Sequence, residues 1–284
     1  MNYRKLVLSA LLASLTLTPV RSLAAPVSFG FSGVINSVTS PGGGLPAGLA
    51  VDQPFLVIVT YDPDLLPAAF ESPANVTDAN YYTTNLAAYG YWARFGSLEI
   101  SLPNPAPVKV THSIEVRNGF GGWDGVQQES YGADAWFNQA PLPAGQMATR
   151  GFSIMDDTMT AFDSESLPLT LPPISQFQRI HRASFAVFQI NSETGVPSTL
   201  YQAGGLISEI TNSPRPPLSL SRQPSGSLRL SWPRILPGYV LQSANDLDGS
   251  PWTPVAATQT ETPTEFVVEV KSAPAGTFFR LQKN

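Results

Sequence analysis

The chain has no cysteine, two histidines in 284 residues and only 13% charged residues. Without cysteine there is no disulfide framework, thiolate metal site, cysteine nucleophile or lipid-modified cysteine. A charge content about half the usual share argues against long, solvated surface helices. Beyond the N-terminal region no run is long and apolar enough to span a bilayer; the longest strongly apolar one, 55–59, is strand-sized. Motifs that carry catalysis are missing as well: no GxSxG elbow, no HExxH, and no phosphate-cradling glycine loop ahead of a helix. What is plentiful is proline (27) and glycine (22) beside a 43% apolar fraction, the composition of many short strands joined by turns.

The N-terminus reads as a secretory leader. Arg4 and Lys5 form a basic region, 6–17 an apolar stretch, and Ser22 and Ala24 supply the small residues of a cleavage point, so residues 1–24 are expected to be removed. Removal takes away Arg4, Lys5 and Arg21, and the net charge moves from −5 to −8, with 13 cations against 21 anions. That balance disfavours nucleic acid. A polysaccharide or protein of the cell envelope or matrix is the expected partner, and the expected location is outside a bacterial cell or on its surface.

Strand alternation begins at once: Val27, Phe29, Phe31 and Ile35 alternate with Ser28, Gly30, Ser32 and Val34. PFLVIVTYDP has an unbroken apolar centre, which predicts a central strand covered on both faces. GSLEISL and VKVTHSIEVR alternate cleanly and are expected to form a hairpin across PNPAP, with His112 on the apolar face of the second strand. Strands are also expected at 151–155, 183–190 and 205–210, and a helical turn at 84–88. The composition breaks at SPRPP, 213–217, where prolines remove backbone donors. This divides the chain into a domain at 25–212, a proline-rich linker at 213–217 and a small domain at 218–284 of roughly six strands. The expected fold class is all-β: a larger sandwich, jelly-roll-like, followed by a smaller one.

FSGVINSVTS, a strand ending VTYDPD, NYYTTNLAAY, VRNGFGGWDG and FSIMDDTMTAFDSESLPLTLPPISQF follow one another across 27–211. In that order they resemble exported bacterial β proteins often found with PEP-CTERM sorting tails, which implies a secreted sandwich and no known reaction. The proline-led motif, apolar helix and basic cluster of such a tail have no counterpart here. LSWP, GYVLQSANDL, SPWTPV and FFRLQK are instead similar to a small repeat of secreted verrucomicrobial proteins that resembles a trimmed fibronectin type III sandwich. This implies display or assembly rather than catalysis.

Candidate site residues are few. In RNGFGGWDG, glycines allow tight turning while Asn118 and Asp124 offer hard oxygen ligands of the kind calcium takes; a plain strand connection is the other reading. Trp123, Tyr131 and Trp136 are candidates for stacking on sugar rings, with core packing as the alternative. Asp156, Asp157, Asp163 and Glu165 are the acids from which a glycosidase pair would be drawn, although such clusters are more often exposed turns. His181, between Arg179 and Arg182, reads as a solvated strand start. Trp232 shares a face with Leu228 and Leu230 and is expected in the small domain's core, with Trp252 packing over the same core. Three functions are compatible with these residues: a non-catalytic structural or adhesive protein first, a calcium-assisted carbohydrate-binding protein second, and a secreted glycosidase third. No other cofactor is expected.

Overall fold

A computed structural model describes residues 25–284, apart from 66–69, 72–77, 84–88, 102–110, 122–126, 138–145, 159, 163–166, 248–250 and 272–275. The protein is all-β. The first eleven strands form one antiparallel sheet, β3-β4-β7-β8-β9-β10-β11-β1-β2-β5-β6. In chain order these are β1 (Val27–Thr39), β2 (Pro54–Tyr61), β3 (Phe70–Glu71), β4 (Asp78–Thr83), β5 (Tyr89–Phe95) and β6 (Leu98–Ser101). They are followed by β7 (Thr111–Gly121), β8 (Gln127–Phe137), β9 (Gln146–Asp156), β10 (Ile180–Ile190) and β11 (Pro197–Asn212). The expected turn at 84–88 lies outside the described residues.

Along this sheet β9 and β8 lie three and four strand spacings from β1, roughly 14 and 19 Å if the sheet were flat. Yet the Phe31 and Phe152 ring centroids are 3.9 Å apart, and Phe29 meets Tyr131 edge-on at 5.9 Å. The sheet is therefore folded over, so that β1, β2 and β5 face β8 and β9 across one interior. Alternation fills that interior: Phe29, Phe31, Val57, Val59, Tyr89 and Tyr91 from one side meet Tyr131, Phe152 and Ile154 from the other, all buried. Chain crossings between the two halves occur after β2, β4 and β6, as they do in a jelly roll. From β7 to β11 each strand pairs with the next. The segment after β9 closes one end, where Tyr61 donates to the Pro168 carbonyl. Asn212 donates to the Leu171 carbonyl at 2.9 Å and accepts from its N–H at 2.8 Å.

GSLEISL and VKVTHSIEVR are not a hairpin: β6 pairs with β5, whereas β7 lies between β4 and β8. The two-residue turn Gly96-Ser97, with Gly96 at φ +58°, folds β6 back on β5 before PNPAP is reached. In β1 the register shifts between Ser32 and Gly33 opposite β11, and a Cβ on Gly33 would run into the Leu206 carbonyl. Only glycine lets the strands approach so closely there.

Residues 218–284 form a second sandwich of seven strands: β12 (Ser219–Arg222), β13 (Leu228–Pro233), β14 (Tyr239–Ala244), β15 (Thr253–Pro254), β16 (Gln259–Glu261), β17 (Glu265–Val270) and β18 (Phe278–Lys283). Its sheets run β12-β13-β17-β16 and β15-β14-β18. In immunoglobulin-type lettering this is A-B-E-D over C′-C-F. Leu230, Trp232, Leu241 and Val268 form its core, and Trp232 is buried as expected.

The two sandwiches touch. Ile58 on β2 and Trp92 on β5 point away from the first core, yet they are buried in a cluster with Leu236 and Tyr239 from the second sandwich, flanked by Leu56, Ile235 and Leu281. The expected second cover of β2 is thus provided by the small domain, the first sandwich's own core covering the other face. The intervening prolines join the packing: Pro214 and Pro216 are buried, and the Tyr239 hydroxyl donates to the Pro214 carbonyl at 3.4 Å. Truncating Leu236, 3% exposed, to Ala is expected to cost about 2–5 kcal/mol. A calorimetric scan of residues 25–284 should show the transition moving down and dividing in two as the modules uncouple.

Candidate functional site

The residues singled out around RNGFGGWDG are strung along β7, β8 and the connection between them. Asn118 sits in β7 at a bulge, opposite Glu129, and Trp123 and Asp124 fall in 122–126, the connection from β7 to β8. Trp136 pairs with Thr111, seven residues further along the hairpin and roughly 24 Å from the Asn118–Glu129 pair. The side chains of Asn118 and Trp136, and all of Trp123 and Asp124, lie outside the described residues. Tyr131 is described, and its assignment as a sugar platform is corrected. It is 0% exposed and packed among Phe29, Phe31, Phe152 and Phe162, so no ligand ring reaches it. Burial, with Tyr61 and Tyr89 close by, raises its pKa well above the ordinary tyrosine value.

Arg150 enters the same interior. Its guanidinium lies 4.3 Å over the Tyr91 ring and is 2% exposed. Desolvation pushes its pKa down to about 10, against the opposing pull of Tyr91 and Tyr89, so it stays cationic at neutral pH. Nothing in the strand alternation marks this position, since a cation among aromatic neighbours breaks the pattern that makes a core legible.

The acidic cluster is divided among structural tasks. Asp156 is buried at the end of β9, and its carboxylate accepts from the Thr158 N–H at 3.0 Å, the Thr158 hydroxyl at 2.6 Å and the Thr160 N–H at 3.2 Å. Asp157 faces Arg179 at 3.4 Å, whereas Asp163 and Glu165 lie outside the described residues. His181 is half-buried on β10, with Nε2 against the Phe177 carbonyl oxygen, a structural contact instead of the solvated strand start expected. His112 pairs through its backbone with Thr83 and Ala135, and its side chain is outside the described residues. Among the described residues no group of three or more His, Asp or Glu is placed to share a metal.

Two surface features of the small sandwich could receive a ligand. Strand β16 pairs with β17 only from Gln259–Val268 to Glu261–Phe266. Where the two diverge, a cleft of about 760 Å3 opens, lined by Thr258, Thr260, Val267, Glu269 and Lys271 among others. Arg229, on its wall, is already bound to Glu265 at 2.7 Å.

The second feature is the outer face of β15-β14-β18. Trp252, expected over the core, is not part of it. The residue stands just ahead of β15, half-buried, with the Arg280 guanidinium 4.3 Å over its ring. Two residues after Trp252, Pro254 pairs with Gln242, and Gln242 pairs with Arg280; the Gln242 carboxamide oxygen accepts from Arg280 Nε at 3.0 Å. Trp252, Gln242 and Arg280 thus form a row across the sheet. The signal for this face was in FFRLQK, whose alternation sends Phe279 and Leu281 inward and Phe278, Arg280 and Gln282 outward.

Burial alone raises the Asp156 pKa, but the Thr158 and Thr160 donors outweigh it and hold the carboxyl below its ordinary value. A depressed folded-state pKa gives stability that is present above the unfolded value near 4 and is lost as the pH falls through the lower folded value. Asp156→Asn is expected to cost about 1–2 kcal/mol at neutral pH and to flatten the loss of stability below about pH 4; urea titrations from pH 7 to pH 2.5 measure both. Comparison of this chain with protein-family models, curated proteins and solved structures finds no match.

Proposed function

We propose that the protein is an exported, non-catalytic β protein of the cell envelope or extracellular matrix, with a structural or adhesive role. The observation that supports this reading most is the apolar seam of Ile58, Trp92, Leu236 and Tyr239, because it joins two sandwiches through packing and leaves their outer faces for contact with other molecules. The placement of the carboxylates supports it too. Asp156 organises a turn, Asp157 meets Arg179, Glu265 meets Arg229 and Glu99 accepts from the Trp92 indole at 2.8 Å. Each holds local structure instead of standing across a gap from a second acid.

The second reading is carbohydrate binding, favoured by the aromatic and guanidinium row on the small sandwich; calcium assistance through Asn118 and Asp124 belongs to it. The leading proposal is tested by expressing the whole chain in a Gram-negative host and sequencing the exported product, which is expected to begin at Ala25. Incubated with a panel of plant and bacterial polysaccharides, that product is expected to release no reducing ends. Retention of the chain in the cytoplasm would overturn the exported role, and reducing-end release that disappears in Asp157→Asn would overturn the non-catalytic one.

A further inference from the structure

The geometry points to a binding site for a carboxylated polysaccharide, a uronic-acid chain, on the outer face of β15-β14-β18, with Arg280 as the carboxylate receptor and Phe278 as the ring support. It rests on the carbohydrate-binding reading above and gives it a location in the small sandwich, away from RNGFGGWDG.

Arg280 is held before any ligand arrives. Its guanidinium is stacked on the Trp252 ring at 4.3 Å, and its Nε is bound to the Gln242 carboxamide at 3.0 Å. Both contacts use the flat face and the inner edge of the group. The two terminal nitrogens make no hydrogen bond or ion pair among the described residues, so the two-pronged donor that fits a carboxylate is available and already oriented. Stacking also removes much of the side-chain freedom that an arginine on an open surface would lose on binding.

The surroundings select the sign and shape of the ligand. Strands β14, β15 and β18 carry no acid, and Arg280 is the cation that their outer face presents, on a chain whose net charge is −5. An anion is therefore favoured at this face over the rest of the molecule. Phe278 lies two residues from Arg280 on the same side of β18, roughly 7 Å away, and is 38% exposed. A sugar ring whose carboxylate is held by Arg280 can lay its C–H surface on that phenyl ring. Gln282, paired with Val240 beyond Arg280, is exposed; its Nε2 donates to the Lys283 carbonyl at 3.2 Å, and its carboxamide oxygen can accept from sugar hydroxyls. An acidic polypeptide would use the charge and leave the aromatic surface idle.

The experiment is affinity electrophoresis of residues 25–284 through gels containing polygalacturonate, dextran or poly-L-glutamate, with thermal unfolding run in parallel. The wild-type protein is expected to be retarded by polygalacturonate and to pass freely through dextran and poly-L-glutamate. Arg280→Gln is expected to weaken the retardation at least tenfold. Arg222→Gln, which removes the same charge from exposed β12 on the other sheet, is expected to leave it unchanged. Arg280→Lys keeps the charge and loses the planar fork; it should fall between wild type and Arg280→Gln, and it carries the test if Arg280→Gln lowers the melting temperature. Failure of the wild type to bind polygalacturonate or dextran would sink both the carbohydrate reading and the site. Wild-type binding of either polymer that Arg280→Gln leaves intact would keep the reading and overturn the site. An equal loss in Arg222→Gln, or equal retardation by poly-L-glutamate, would show attraction of charge without recognition of a sugar and would overturn the proposal.

Discussion

The fold depends on one contact across the interior, the meeting of Phe29 and Phe31 on β1 with Tyr131 and Phe152 on β8 and β9. Without it an eleven-stranded antiparallel sheet would lie open, with one apolar face in water. Large rings suit this task because each buries about 150–250 Å² of surface, enough to bring together strands that the hydrogen-bond ladder holds three and four spacings apart. Arg150 is carried into the same interior, where the Tyr91 ring faces its guanidinium. A buried charge is tolerated only where such partners replace water, so the tyrosine-rich face of β5 and the position of Arg150 on β9 are linked requirements.

Folding the sheet creates a second problem on its outside. Strands β2 and β5 are apolar on both faces, and closure buries only the inner one; Ile58 and Trp92 would otherwise stand in water. The small sandwich covers them with Leu236 and Tyr239, and the prolines between the domains are buried in the process. The linker therefore acts as a packed corner and not as a tether. Its low entropy helps: proline has little backbone freedom to lose when it is fixed. Glu99 and Arg94 then finish the edge of the seam, the first by accepting from the Trp92 indole and the second by lying 5.7 Å over its ring.

Much of this was legible in the chain. Phe29, Phe31 and Ile35 sit on the inner face that their spacing predicts, and Trp232 is in the small core with Leu230. The unbroken apolar run of β2 announced burial on both faces, although it could not say that the second cover would come from more than 170 residues further along. The pairing of β6 was misread because alternation identifies strands without choosing partners, and the tight turn at Gly96-Ser97 made that choice. Tyr131 and Trp252 show the limit for aromatics. Each stands in or beside a strand and so has a face, but which face is inward depends on what lies across the sheet. Tyr131 met Phe29 and Phe152, whereas Trp252 met an arginine from the far strand of its own sheet.

The same logic explains why the aromatic surface of the small sandwich differs from a failed core. Phe279 and Leu281 on β18 already complete the interior with Leu230 and Leu241, so the outward residues of that strand are under no demand to be apolar. Packing would be satisfied with threonine or serine at 278 and 280. Instead a partly exposed phenyl ring lies two residues from a guanidinium fixed by a tryptophan and a glutamine. An exposed large apolar side chain taken singly needs no explanation. One placed next to a preorganised cation, on strands without an acid, has a chemical direction that folding did not require, and the functional reading of the small sandwich follows from that surplus.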